Sequence, residues 1–355
     1  MMSRWIPAPL LLLATLFATA SHADPIQKNF SDWMISCDNI NRCQIRNVND
    51  HHDLVMQITR EAGREGKASI SIDYQRLYDD SEKNTALANT LMLDSRRMNI
   101  NPREWQTEKN RISTENRLVV NEFIAGIREG SRITLTGKFA NEQDRLVISL
   151  TGLKAALLAM DEQQSRIDTQ TAWAKKGVKP ADQVPDAPLP PEAPLFSRPQ
   201  PLTDGEVAAL TQFAATNVDT NDCTLESSER DVSLSALSGE KALMMINCDR
   251  GAYNLFVLAF TVTRHAPFKI EELDLTLPFS FNQQENQSPE LINVDFDEKS
   301  GQLGTYAKGR GIGDCGESSQ WVFDGTAFQL TNYASEPNCD GYRQGGEWPE
   351  LWVTR

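Results

Sequence analysis

Apolar and polar side chains alternate along the first half of this chain. Ala68, Ile70, Ile72 and Tyr74 alternate with Lys67, Ser69, Ser71 and Asp73, the period-two pattern of a strand with one buried face. Ile133, Leu135 and Gly137 alternate likewise with Arg132, Thr134 and Thr136, and residues 145–150 supply another short strand. Between these runs the period becomes helical. Val119, Phe123 and Ile127 stand four apart and predict a short helix over 118–128, ended by Gly130. Leu153, Ala156, Leu157 and Met160 fall at i, i+3, i+4 and i+7. They predict a helix from about residue 152 to 176, stopped by Gly177 and lying across the sheet.

The second half opens on Thr203-Asp204-Gly205-Glu206, a capping-box pattern that starts a helix burying Val207, Leu210 and Phe213. Strands follow. Residues 243–248, the turn Asp249-Arg250-Gly251 and residues 252–263 read as a hairpin, whose stretch 255–260 is apolar on both faces and therefore central. Trp321-Val322-Phe323 and residues 326–330 flank Asp324-Gly325. Both of those turn residues tolerate positive φ, which predicts a type I′ hairpin and a closing β-meander.

Between the halves, residues 177–201 hold eight of the 17 prolines. Without N–H donors such a stretch builds neither ladder nor helix and should be an extended, semi-rigid linker. The expected fold class is mainly β with a few helices (α+β), in two β-rich domains. Residues 24–176 form a sandwich-like domain with a C-terminal helix; residues 202–355 form an antiparallel meander with a leading helix.

Ahead of both stands Arg4, then an apolar run over 10–13 continued by Leu16, Phe17 and Ala20, with small residues at Ser21-His22-Ala23. That is the pattern of a secretory signal peptide over 1–23, cleaved before Asp24. No later stretch approaches the roughly 20 apolar residues of a membrane-spanning helix, so the expectation is release into the periplasm or the medium. Loss of Arg4 leaves 34 basic against 49 acidic side chains, a field that repels nucleic acid.

Six cysteines, an even number, are Cys37, Cys43, Cys223, Cys248, Cys315 and Cys339, which in an exported chain reads as three disulfides. If the linker isolates the first pair, several connectivities remain for the other four, of which sequential pairing is favoured. Loop closure assigns roughly 2 kcal/mol to the short Cys37–Cys43 loop and roughly 3 kcal/mol to each longer one.

Several stretches are similar to the proteobacterial family catalogued as domain of unknown function 1176. They are Phe30-Ser31-Asp32-Trp33 with Cys37 and Cys43, Gly152-Leu153-Lys154-Ala155-Ala156-Leu157-Leu158-Ala159-Met160-Asp161, Cys248-Asp249-Arg250-Gly251-Ala252-Tyr253-Asn254, Gly311-Ile312-Gly313-Asp314-Cys315-Gly316 and Trp321-Val322-Phe323-Asp324-Gly325. The Asp-Trp-x-x-x-Cys opening also resembles the invasion-associated locus B family, which implies a β-sandwich with a helix for 24–176. Neither resemblance implies a catalytic constellation.

Candidate chemistry is sparse. Gly313-Asp314-Cys315-Gly316 has the form of a nucleophile loop, but such a loop needs a His base. Only His51, His52 and His265 follow the leader, and paired cysteines favour a disulfide-anchored turn. Gly309-Arg310-Gly311-Ile312-Gly313 lacks the following helix of a phosphate loop. His51-His52-Asp53 holds metal-ligand types, but neighbours on a strand face opposite ways, so no metal or other cofactor is expected. The acidic stretches 217–222 and 295–301 echo calcium loops without their full ligand pattern.

The sequence therefore leaves function open, with a non-catalytic envelope binding or interaction protein as the first reading. Its partner would be an envelope protein or glycan. A hydrolase using an unrecognised carboxylate pair is the alternative, and the absence of CxxC weighs against a redox factor. Lys308, Arg310, Tyr342, Trp348 and Trp352 are the candidate recognition residues, with Trp348 expected near the surface.

Overall fold

In the computed structural model, residues 23–48, 54–74, 90–108, 110–135, 146–280, 285 and 287–355 are described. They build four antiparallel sheets and three α-helices, a mainly β architecture. In the first half β1 (Ile26–Phe30), β2 (Trp33–Cys37), β3 (Cys43–Asn47), β4 (Leu54–Arg60) and β5 (Ala68–Tyr74) run as a meander. A seven-stranded sheet is completed by β9 (Arg111–Thr114) and, at its edge, β8 (Gln106–Thr107). A smaller sheet has the order β11 (Val147–Ser149), β10 (Arg132–Leu135), β6 (Leu91–Leu93), β7 (Arg96–Arg97). Both sheets share one core with α1 (Arg117–Ile127) and α2 (Leu153–Gln163). Trp33, fully buried, ties them together by donating from Nε1 to Ser149 O at 2.9 Å.

The second half is three layers deep. α3 (Asp204–Asn217) lies on one face of the sheet β12 (Val232–Ala236), β13 (Lys241–Arg250), β14 (Leu255–Thr263), β15 (Ile270–Glu272). Ala242, Met244 and Ile246 of β13 face that helix, whereas Leu243 and Met245 face the other way. Their partner there is the five-stranded meander β16 (Asp295–Asp297), β17 (Gln302–Lys308), β18 (Gly316–Phe323), β19 (Phe328–Glu336), β20 (Glu350–Val353). Trp321, Phe323, Tyr333 and Trp352 fill the layer between the sheets, where each large ring removes much apolar surface from water.

Several expectations are corrected. α2 ends at Gln163 rather than near 176, because Ser165 and Asp168 take positive φ and the buried Asp161 carboxylate accepts from Trp173 N and Ala174 N, folding the chain back. Gly177 stops no helix: it passes so close to Asp168 that a Cβ would lie 2.2 Å from its carbonyl oxygen. On α1 the buried stripe is Val120, Ile124 and Ile127, one position from two of the predicted residues. The capping box of α3 forms, but Val207 is exposed while Leu210 is buried. Asp324-Gly325 sits in a four-residue loop, since Phe323 pairs with Phe328 and Asp324 N donates to Ala327 O. In the β13–β14 hairpin, Asp249 and Arg250 belong to the strand, and the turn is closed by Gly251 N donating to Asn254 O. Phe256 of β14 is exposed. Gly137, the leader over 1–22 and His51-His52-Asp53 lie outside the described residues.

The two halves meet through buried polar groups. Arg46 of β3 donates to Glu336 Oε2 at 2.6 Å and to Asp340 Oδ2 at 2.5 Å, all three buried. The guanidiniums of Arg46 and Arg343 lie 5.1 and 5.3 Å from the Tyr342 ring centre, and the Tyr342 hydroxyl donates to Asp73 of β5. Asn39 exchanges two hydrogen bonds with Val353, and Gln27 donates to Ser335 O at 2.8 Å. Residues 185–203 carry no regular structure, yet Ala193 N and Arg355 O, and Arg355 N and Pro191 O, bond at 2.9 Å each.

Candidate functional site

Asp161 extends the apolar stripe of α2 to i+8 from Leu153 and is fully buried. A carboxylate there needs a cation and hydrogen-bond donors. Arg60, the last residue of β4, supplies the cation: Nη2 donates to Asp161 Oδ1 at 2.7 Å and Nε to Gln164 Oε1 at 2.6 Å. Its guanidinium lies 4.1 Å from the ring centre of Trp173, a cation–π contact. Arg60 Nη1 is buried without a hydrogen-bond partner. Arg166 stands beside it, donating from Nε to the same Gln164 oxygen at 3.3 Å, from Nη1 to Thr171 Oγ1 at 3.0 Å and from Nη2 to Gly63 O.

Around these two arginines opens a cleft of about 370 Å3, lined by Arg60, Arg64, Glu65, Arg117, Arg166 and Lys176 together with neutral groups that include Asn121, Thr171 and Trp173. Its walls are the end of β4, the turn before β5, the start of α1 and the returning segment after α2. Arg117 pairs with Glu65 at 3.0 Å. Burial, reinforced by the neighbouring Arg166, pulls the Arg60 guanidinium down to about 10, against the opposing pull of Asp161. Burial lowers Arg166 too. In a chain of net charge −14, this concentration of cations is a local reversal of sign.

The residues singled out in the tail are placed differently. Tyr342, Trp348 and Trp352 are all buried, so the expectation of an exposed Trp348 is corrected. Trp348 stacks on Tyr306 at 5.0 Å and donates to Gly313 O at 3.2 Å; Trp352 stacks on Phe279 at 5.5 Å. Arg310 holds the fully buried Asp314, which also accepts from Gly341 N. Lys308 lies 5.7 Å from the Tyr253 ring centre and lines a groove of about 340 Å3 with Glu290, Glu317, Glu336 and Cys315. Two of that groove's carboxylates are engaged, Glu336 by Arg46 and Glu317 by the Tyr333 hydroxyl at 2.7 Å.

The three disulfides are Cys37–Cys43, Cys223–Cys248 and Cys315–Cys339. Cys315 therefore carries no thiol, and Gly313-Asp314-Cys315-Gly316 is a bonded turn in which Gly309 N donates to Cys315 O. Among the described residues no group of three or more His, Cys, Asp or Glu is gathered to hold a metal. Asp219 and Asp297 use their carboxylates on nearby backbone N–H groups. Sequence reasoning missed the arginine cleft. Its one signal was Asp161, an acid on the buried stripe of a helix.

Fold and cleft together define a disulfide-bonded, antiparallel β protein with a cation-lined cleft in its first half. The chain belongs to the family described as protein of unknown function (DUF1176), whose model matches residues 27–355. It is 40% identical over 347 residues to "Uncharacterized protein YpfG" of Escherichia coli (strain K12), covering 98% of each chain. No solved structure matches it.

Proposed function

We propose that this is a non-catalytic binding protein of the bacterial envelope, and that its ligand is an anion held in the arginine cleft. The observation that carries the reading is Arg60: a buried guanidinium with one nitrogen lacking a partner, on the wall of a cleft whose other charged groups are mostly cations. Buried polar groups ordinarily have partners, and a bound anion would supply the one that Arg60 Nη1 lacks. Export rests on the leader at 1–23, the three disulfides and the lack, among the described residues, of any helix long and apolar enough to cross a membrane. The likeness of Asp32-Trp33 and Cys37 to the invasion-associated locus B opening supports placing the first half with exported β-sandwich domains. In this reading 24–176 and 202–355 are two domains joined by 177–201, and recognition belongs to the first.

The test is calorimetric titration of the mature protein with acetate, citrate, sulfate and a phosphate monoester, beside the variant Arg64→Ala/Lys176→Ala. Both side chains are exposed, so the variant should melt within a few degrees of the wild type. Binding of any of these anions that the variant loses supports the reading. Equal behaviour of the two proteins toward all of them overturns it.

A further inference from the structure

Charge in the arginine cleft is out of balance. Arg60 and Arg166, 3% and 2% exposed, share one buried carboxylate, Asp161. On the rim Glu65 answers Arg117, while Arg64 and Lys176 add two further cations. Five cations thus stand against Glu65 and Asp161, an excess of three positive charges. A singly charged ligand leaves most of that excess in place.

The donors also come from several directions. Arg60 approaches from the end of β4, Arg64 from the turn after it, Arg117 from the first turn of α1, and Arg166 and Lys176 from the segment returning after α2. A carboxylate offers two oxygens in one plane, whereas a tetrahedral group presents oxygens on all sides. α1 adds to the field, since no acidic residue occupies its first turn and a helix N-terminus favours negative charge.

We infer that the cleft takes a phosphate dianion, either free or as the monoester terminus of a larger molecule, with Arg60 Nη1 as its inner donor and Arg64 and Lys176 closing over it. This rests on the binding reading above and narrows it to one ligand chemistry. Guanidinium groups suit the task because their planar forks match phosphate oxygens in pairs. Arg60 is held in place for it by Asp161, Gln164 and the Trp173 ring.

The experiment is titration of the mature protein at pH 8 and fixed ionic strength with glycerol 1-phosphate, inorganic phosphate, dimethyl phosphate, methyl sulfate and acetate. The two phosphate dianions should bind about 10-fold or more tightly than the three monoanions, as loss of one charge-assisted contact implies. Tighter binding of glycerol 1-phosphate than of inorganic phosphate identifies a monoester terminus; the reverse identifies the free ion. Arg64→Ala/Lys176→Ala should weaken the dianions by about 10-fold or more. Arg60→Lys keeps a charge opposite Asp161 but loses the fork that also holds Gln164; it should weaken the dianions similarly and also lower the melting temperature, so Arg64→Ala/Lys176→Ala is the variant that reads binding apart from stability. Equal affinity for dimethyl phosphate and glycerol 1-phosphate, or preference for acetate, overturns the dianion while leaving an anion site. Absence of any binding that depends on Arg64 and Lys176 removes both proposals.

Discussion

Arg46 Nη2 donates to Glu336 Oε2 at 2.6 Å across 290 residues of chain. The arginine comes from the middle of the first sheet and the glutamate from the last residue of β19, so one buried ion pair joins the two halves. Asp340 completes it on the other side of the guanidinium. Such a pair adds little net stability over apolar replacements, but removing one member strands the others in a dry interior.

Arg46→Met should therefore lower unfolding stability by about 3–5 kcal/mol, the usual cost of an uncompensated buried charge. Urea unfolding followed by tryptophan fluorescence measures it. A loss below about 1 kcal/mol would mean that water or rearrangement rescues Glu336 and Asp340.

The same junction governs what proteolysis will do. Lys179 and Arg198 each precede a proline, which protects them from trypsin, whereas Leu195 is 90% exposed in an extended stretch. Brief chymotrypsin treatment should cut after Leu195, and the fragments should still elute together on gel filtration at the volume of the intact chain. Separation of the fragments without denaturant would show that the contacts of Arg46, Tyr342 and Asn39 do not hold the halves.

Asp38 sits in the turn closed by Cys37–Cys43, and burial pushes its carboxyl up to about 6, against the lowering effect of Arg42 N, Ile40 N and the Arg42 charge. A raised carboxylate pKa means the native state prefers the protonated form. Stability is thus retained at low pH and declines as pH rises from about 4 through 6. Asp38→Asn, which can still accept from both N–H groups, should be more stable than wild type at pH 7.5 by on the order of 2 kcal/mol, with the gain gone at pH 4. Parallel denaturant titrations at the two pH values decide it; a pH-independent difference would count against the burial argument.

Trp348 is structural. Replacing it by Ala removes the stack on Tyr306 and the hydrogen bond to Gly313 O, and should cost about 3–5 kcal/mol. Arg310→Ala takes the cation from the fully buried Asp314 and should cost about 1–3 kcal/mol. Thermal melts of the two single variants test this, and a Trp348→Ala protein as stable as wild type would return that ring to the surface.

Gly177→Ala places a methyl group where the Asp168 carbonyl stands. The segment carrying Trp173 and Lys176 must shift, so the proposed anion binding should fall by more than the melting temperature suggests. Gly205→Ala, in α3 with nothing within 4 Å of the added atom, is the control and should leave binding unchanged with a melting temperature equal to or slightly above wild type.

How legible all this was depended on range. Period-two alternation marked Ala68–Tyr74 as a strand, and Thr203 with Glu206 marked the start of α3, because those patterns express forces acting within a few residues. The sequential disulfides followed from the same locality, each closing a short excursion of a meander. Helix periodicity misled where a distant contact intervened: α2 should have run on, but Asp161 captured the N–H groups of Trp173 and Ala174. Trp348, beside Pro349, suggested a surface position because composition carries no depth. Packing of β17–β20 against the sheet of β13 decided that Trp352 is core, and the stack on Tyr306 did the same for Trp348. The arginine cleft lay furthest from sequence inspection. Its cations come from positions 60, 64, 117, 166 and 176, with no spacing in common, and only the return of the chain over the end of β4 brings their charges within reach of one another.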